Sequence, residues 1–394
     1  MMKYSAIAAG VFLSTLGFTG SAIAEDDAFI TALKSGTPLL NMRLRHEEVD
    51  VDGATEDAKG LTLRTRLGYQ SGKFYGFDVM GEFEDTRIVG KTGYYAPNKP
   101  GYPIIADPEV TELNRAAISY TGSDALEGLV ATYGRQRIIY DNARFVGNVG
   151  WRQDEQTFDG AKVDYGVGDF KFSTAYLTQV NGITPKFDAN TSNYLFNASW
   201  TGAPGGSLTG YGYLLETDNV VDSDNDTYGL RYSGAFDLDA VKLLLTLEGA
   251  QQEVEAGDTD YYFAELGAQV AGVTVKVAQE VLGSDDGLVA FQTPLATKHA
   301  FNGWADQFLA TPAAGLEDSF VSVGGKLAGF KLLAVYHDFK ANEGSTDYGT
   351  ETNLLVARPI GKNYVVGLKY ADFSADSLAY ADTSKYWAWA ELKF

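Results

Sequence analysis

The sequence predicts an all-β fold: a transmembrane antiparallel β-barrel of about 18 strands, with short periplasmic turns and long extracellular loops. Three observations carry this reading. Period-two alternation recurs along most of the 394 residues, short and long connections alternate, and arginines fill every second place in segments that are otherwise apolar. Period two marks strands because successive side chains point to opposite faces. The 44 Gly and 24 Tyr suit many short strands and turns. The absence of cysteine excludes a disulfide framework, a thiolate metal site and a cysteine nucleophile.

The chain opens MMKYSAIAAGVFLSTLGFTGSAIA. Lys3 is followed by an apolar stretch through Ala6–Phe18 and by the small-x-small ending Ala22-Ile23-Ala24. That pattern predicts a secretory signal peptide over residues 1–24, cleaved before Glu25. A retained anchor helix needs about 20 apolar residues, and this run is interrupted by Ser14, Thr15 and Gly17. No later run reaches about 18 apolar residues, which excludes a transmembrane helix but not transmembrane strands. No linker or composition break divides residues 25–394, so they read as a single barrel domain. Losing Lys3 with the leader takes the formal charge from −21 to −22. Acidity of this size argues against a nucleic-acid partner, which needs clustered Lys and Arg.

The strands follow a rhythm of about ten alternating residues and a turn. NMRLRHE, GLTLRTRLGYQ, KFYGFDVMGEFED, SNYLFNASW, DTYGLRYSG, VKLLLTLEGA, GVTVKVAQEV and NYVVGLKYADF are clear examples. The even-numbered connections are short and mostly carry Gly, Pro or Asp: QSGK, TGSDA, GVGD, TGAPGG, GAFDLD, AG, AG and PIGKN. The odd-numbered ones are long, near residues 85–111, 139–155, 180–191, 216–226 and 283–317. Strict alternation of short and long connections is the pattern of an outer-membrane barrel, with both termini at the periplasmic side.

Energetics assigns the faces. Arg43, Arg45, Arg64 and Arg66 alternate with Met42, Leu44, Leu63, Thr65 and Leu67. An arginine facing lipid at mid-membrane costs roughly 2–4 kcal/mol, so four would cost about as much as a whole domain's stability. The arginines must face inward, leaving a polar lumen and an apolar outer wall. In the ending SKYWAWAELKF, Tyr386, Ala388, Ala390, Leu392 and Phe394 then face lipid. A terminal Phe behind such alternation resembles the sorting signal that these barrels present to the barrel-assembly machinery.

Eighteen strands leave room for an aqueous channel. Ten of the twelve arginines lie between Arg43 and Arg152; Arg231 and Arg358 come later. By parity Arg43, Arg45, Arg64, Arg66, Arg115, Arg135 and Arg137 form a basic ladder on one lumenal wall, with Asp78, Glu82 and Glu84 among them. Guanidinium groups hand on a carboxylate or phosphate by bidentate hydrogen bonds. The alternative is that they pair with lumenal carboxylates and only hold the barrel's shape. The segment IIYDNARFVGNVGWRQDEQTF carries Tyr140, Asp141, Arg144, Arg152, Asp154 and Glu155 among apolar residues. It reads as a loop folded inward to constrict the lumen, or else as a packed surface loop. The late stretch FQTPLATKHAFNGWADQFLATPAAGLED, with Phe301, Trp304 and Phe308, reads as a mouth cap or aromatic vestibule, or as a self-packed external loop.

These segments, with GRQRIIYDNARFVGNVGWRQDEQTFDG and the run YHDFKAN to YWAWAELKF, resemble the alginate-export-like family of outer-membrane porins. The resemblance implies an eighteen-stranded barrel with an arginine-lined path for anionic sugars or related carboxylates, the ladder residues being the matching positions. The chain departs from a fully cationic exporter in its sparse basic residues beyond Arg152, which favours an uptake porin.

Other motifs carry little. DSDNDTYG lacks the Gly and Glu of an EF-hand loop, Thr227 and Ser233 standing at those places. His46, His299 and His337 form no H-E-x-x-H pair, and no G-x-S-x-G elbow or P-loop occurs, so no enzyme, cofactor or metal is expected. The expected role is a porin for passive diffusion of small anionic solutes such as organic acids or acidic sugars. Export of an acidic polysaccharide and a structural or adhesive barrel with a blocked lumen stand as alternatives. Expected partners are outer-membrane lipid, lipopolysaccharide bridged through divalent ions on the acidic loops, the assembly machinery and the solutes.

Overall fold

The computed structural model describes residues 22–90, 93–94 and 99–394. The leader expected over residues 1–24 lies outside them except for Ala22–Ala24, which open helix α1 (Ala22–Lys34). The sequence reading did not foresee this helix. Its Ala32 carbonyl accepts the Gly72 N–H at 2.9 Å, and Phe29 meets Phe74 edge-on at 5.5 Å, so it docks on the turn after the second strand.

Among the described residues twenty strands follow: β1 (Thr37–Val51), β2 (Ala58–Gln70), β3 (Phe77–Ile88), β4 (Val110–Thr121), β5 (Leu129–Gln136), β6 (Thr157–Val167), β7 (Phe170–Asn181), β8 (Ala189–Ala203), β9 (Gly206–Leu215) and β10 (Asn225–Leu238). The rest are β11 (Val241–Val254), β12 (Gly257–Val270), β13 (Val273–Leu282), β14 (Ser284–Asp285), β15 (Val289–Ala290), β16 (Leu316–Leu327), β17 (Phe330–Lys340), β18 (Asp347–Ile360), β19 (Tyr364–Ala375) and β20 (Thr383–Lys393). β14 and β15 make a two-stranded hairpin inside a loop; the other eighteen form one antiparallel sheet. β1 pairs with both β2 and β20, so the sheet closes and has no edge.

The connections after β2, β4, β6, β8, β10, β12, β16 and β18 are short and share one end with both ends of the barrel chain. Two are tighter than expected. TGAPGG shrinks to Pro204-Gly205, with Gly205 at positive φ behind proline as in a type II turn, and GAFDLD to Asp239-Ala240, with Asp239 at positive φ. Strict alternation does not hold throughout: the β1–β2 and β17–β18 connections are no longer than the one between β2 and β3, and β11 and β12 are joined by Glu255-Ala256 alone, so the acidic stretch EVEAGDTD is a hairpin tip.

The faces follow the arginine argument on the first wall. Leu44 and Leu67 are 41 % and 61 % exposed on the outside, while Arg43, Arg45, Arg64 and Arg66 are buried inside. The terminal strand agrees, with Tyr386 and Phe394 exposed and Trp387 fully buried. A uniformly polar lumen is not what forms, however. Phe158, Leu177, Leu195, Tyr261, Leu282, Phe339, Phe373 and Trp387 point inward and pack into one apolar core. Two loops enter the barrel and supply the rest of that core, which is why these strands are apolar on both faces.

Candidate functional site

The chain leaves β5 and crosses the lumen as residues 137–156 before returning as β6. This first inward loop reaches the wall of β1 and β2. Arg43 donates from Nε to the Gln153 side chain at 2.9 Å, and from its terminal nitrogens to the carbonyls of Gly150 (3.1 Å), Trp151 (2.9 Å) and Arg152. Arg45 donates to the Trp151 carbonyl and to Asp107. Arg64 reaches Asn41 and Glu391, and Arg66 pairs with Glu84 and Glu155. Gln153 in turn donates its N–H to Asp107 at 2.8 Å and its amide to Thr62 at 2.8 Å. Every guanidinium of the first two strands is therefore partnered by the loop, by loop-held carboxylates or by neighbouring wall groups.

The remaining ladder residues divide. Arg115 grips Glu82 with two bonds of 2.9 and 2.8 Å, and Asn114 joins Glu82 to Glu155. Arg137 lies just beyond β5 and holds Glu155 from two nitrogens, with its side chain 30 % exposed. Arg135 takes the opposite face of β5 from the one expected. Gln136, Ile138 and Tyr140 are the buried, inward residues of that segment. Arg135 shares its face with Tyr133, 69 % exposed on the outer wall, and stands opposite Asp159, with which it forms a two-bond pair of 2.7 and 3.0 Å. It also donates to the Leu113 carbonyl at 3.1 Å, on the part of β4 that short β5 does not reach. Asp78 faces inward and accepts from Gln70 at 3.0 Å.

Within the loop, Arg152 bonds Glu47 and Asp306, each at 2.9 Å. Arg144 donates to Glu280 at 2.6 Å and to Asn302 at 3.0 Å, and its guanidinium lies 4.9 Å from the centre of the Phe301 ring. Tyr140 bonds Ser173 at 2.8 Å and stacks parallel to Tyr213 at 6.1 Å. Asp141 has a positive φ and accepts from Asn197 at 2.9 Å. Burial works against the Glu155 carboxylate, yet Arg66 and Arg137 hold it down at about 2. Asp154 is the converse. Neither of its oxygens has a hydrogen-bond partner among the described residues, and burial near Glu112 and Glu84 pushes its carboxyl up to about 9.

The second inward loop, residues 283–315, was expected at the mouth and instead packs inside. Phe308 meets Phe339 at 4.6 Å, Tyr348 at 5.7 Å, Tyr380 at 5.1 Å and Phe373 edge-on at 6.0 Å. The N–H groups of Trp304 and Ala305 donate to Glu351 at 2.5 and 2.9 Å. Phe301 covers Arg144.

The two loops meet at a cluster whose lysines and Asp306 the sequence reading did not single out. Trp151 stacks on His299 at 5.3 Å, and both stand against Trp387. Burial pushes the His299 imidazole down to about 3, so it is neutral; Nδ1–H donates to Asp306 at 2.6 Å and Nε2 accepts from Lys369 at 2.7 Å. The Lys369 ammonium lies 3.8 Å from the centre of the Trp304 ring and 4.3 Å from that of Trp151. Lys385 donates to Asp306 at 2.8 Å. Trp389 lies across Gly367, where any Cβ would strike its ring. One signal was available. Lys369 is the lone charge at an inward place in NYVVGLKYADF, and a buried lysine needs partners.

The profile of the alginate export family matches residues 41–272, more than half the chain. The protein belongs to the alginate export family. No curated protein matches the sequence. Among solved structures it is similar to OccK9 (OpdG) of Pseudomonas aeruginosa, with a TM-score of 0.71 and 12 % identity over 92 % of this chain and 100 % of that one. OccAB4 of Acinetobacter baumannii is matched with a TM-score of 0.71 and 10 % identity over 91 % and 98 % of the two chains. Pseudomonas aeruginosa OpdK with vanillate is matched with a TM-score of 0.70 and 12 % identity over 92 % and 99 %. At these identities the likeness is one of fold, that of the closed antiparallel β-barrel.

Proposed function

We propose that this barrel is an outer-membrane porin that passes small anionic solutes, organic acids foremost, along arginines narrowed by the first inward loop. The observation that carries the reading is at Arg115 and Arg137. Each holds a lumenal carboxylate in a two-nitrogen fork and keeps part of its side chain exposed, at 18 % and 30 %. A fork that grips Glu82 or Glu155 has the geometry that a solute carboxylate would use. Arg43, Arg45, Arg64, Arg66 and Arg152 hold the loop that sets the width. Vanillate, the ligand of the OpdK structure, is itself an aromatic carboxylate, and gives a first solute to try.

Proteoliposomes swelling in isosmotic solutes test this. Vanillate and gluconate should enter faster than neutral solutes of matching size, and the preference should fall in Arg115→Gln/Arg137→Gln. Equal rates for charged and neutral solutes would refute the anion path.

A second reading has its own support. Both loops enter the barrel and interlock at Trp151, His299 and Lys369. That arrangement favours a lumen closed until the loops part, and predicts no swelling at all in folded protein.

A further inference from the structure

Arg358 is one of the two arginines beyond Arg152, and the lumen does not use it. It lies on the outer face of β18 with Leu354 and Val356, all three exposed, and no ion pair joins it to an acid among the described residues. It stands two residues before Ile360, the last of the strand, at the end where the short turns lie. An arginine is tolerated on the lipid face only where it reaches the headgroups. Its guanidinium lies 4.8 Å from the centre of the Phe330 ring, which opens the neighbouring strand just past the Ala328-Gly329 turn. That contact fixes the charge at the rim.

The register places a groove above it. Arg358 is opposite Val366, Val366 opposite Ala390, and Ala390 opposite Leu44. The next row up runs Val356, Leu368, Ala388 and His46. Barrel strands are tilted, so these rows climb obliquely from the periplasmic rim at Arg358 towards the middle of the wall at Leu44. Ala388 and Ala390 stand where neighbouring strands carry Leu, Val or His, and their short side chains leave a cavity of about 480 Å³ between the two flanks. Its lining is apolar apart from Arg358 and His46, at opposite ends of the climb.

We propose that this groove binds one glycerophospholipid of the periplasmic leaflet. The phosphate sits on Arg358 and one acyl chain lies over Ala390 and Ala388. The charge selects the occupant. A guanidinium without an acidic partner matches a phosphate, and a second barrel would present apolar side chains to it.

Native mass spectrometry of the full-length protein, released from nanodiscs of phosphatidylglycerol and phosphatidylethanolamine, reads the bound lipid directly. One phospholipid should stay on the wild-type monomer. Arg358→Gln should lower its occupancy by about tenfold, the worth of one charge-assisted hydrogen bond. Ala388→Phe, which fills the groove and keeps the charge, should lower it as much. Heat-modifiable migration on gels checks that both variants are folded. Occupancy unchanged in either variant, wild-type protein free of lipid, or a dimer in place of the lipid-bound monomer would each overturn the proposal.

Discussion

The two inward loops fill the same lumen and are held there by different physics. The first, residues 137–156, is held largely by charge, with Phe145 also packed on Tyr211, Tyr261 and Phe291: Arg43 and Arg45 bond its backbone carbonyls, and Arg152 and Glu155 are paired across the wall. The second, residues 283–315, is held mainly by the ring cluster around Phe308. Ion pairs respond to pH and to a competing carboxylate and, where they are exposed, to salt, whereas apolar contacts scarcely do. Under the proposed anion path, the first loop is the one that a competing carboxylate or a proton loosens first.

Breaking one member of the charged set should separate the loops most. Arg45→Ala takes from buried Asp107 the guanidinium bonded to it and leaves Arg152, 3.9 Å away, as its remaining cation, a change near the lower end of the about 3–5 kcal/mol for breaking a buried pair. Single-channel current should rise and become noisy, and proteolysis should begin within residues 142–150, while the second loop stays intact. Phe308→Ala should cost a similar 3–5 kcal/mol through the cavity it leaves. Its signature should differ: a lower thermal midpoint in detergent that does not change with salt.

The pH response should come next in size, through Asp154. Its native carboxyl titrates near 9 and a released one in the ordinary carboxylate range. The packed loop is thus favoured fully below about pH 4 and progressively less as pH rises towards 9. Current should grow over that window, and Asp154→Asn should flatten the response. Glu155 acts with the opposite sign: its value near 2 means that its contribution, complete above the ordinary range, fades as pH falls towards 2. The smallest effect belongs to the junction. Lys369→Met removes the ammonium that faces the Trp151 and Trp304 rings. It should weaken the joint by about 1–2 kcal/mol, the scale of a desolvated cation–π pair, and should change Trp fluorescence.

The same contrast explains what the sequence revealed. Alternation and the cost of an arginine in lipid place Arg43, Arg45, Arg64 and Arg66 inward and orient the last strand, because each of these is a local rule. The clamp is not local. Gln153 is 110 positions from Arg43, and Asp306 is 154 from Arg152, so no spacing pattern announces either pair. Arg135 shows where the local rule misleads. Buried Gln136 and Ile138 set the parity of β5, and a nearby Asp159 lets the arginine stay outside. The apolar lumen escaped notice for a related reason. Strands such as β7 and β19 are apolar on both faces because the loops cover their inner side.

The most direct test of the arginine path is the reversal potential of the purified barrel in a planar bilayer under a potassium chloride gradient, with Arg115→Gln/Arg137→Gln beside it. An anion-selective reversal that weakens in the double variant is the result this account predicts. A cation-selective reversal, unchanged by the substitutions, would contradict it and give the selectivity to the acidic loops at the mouth.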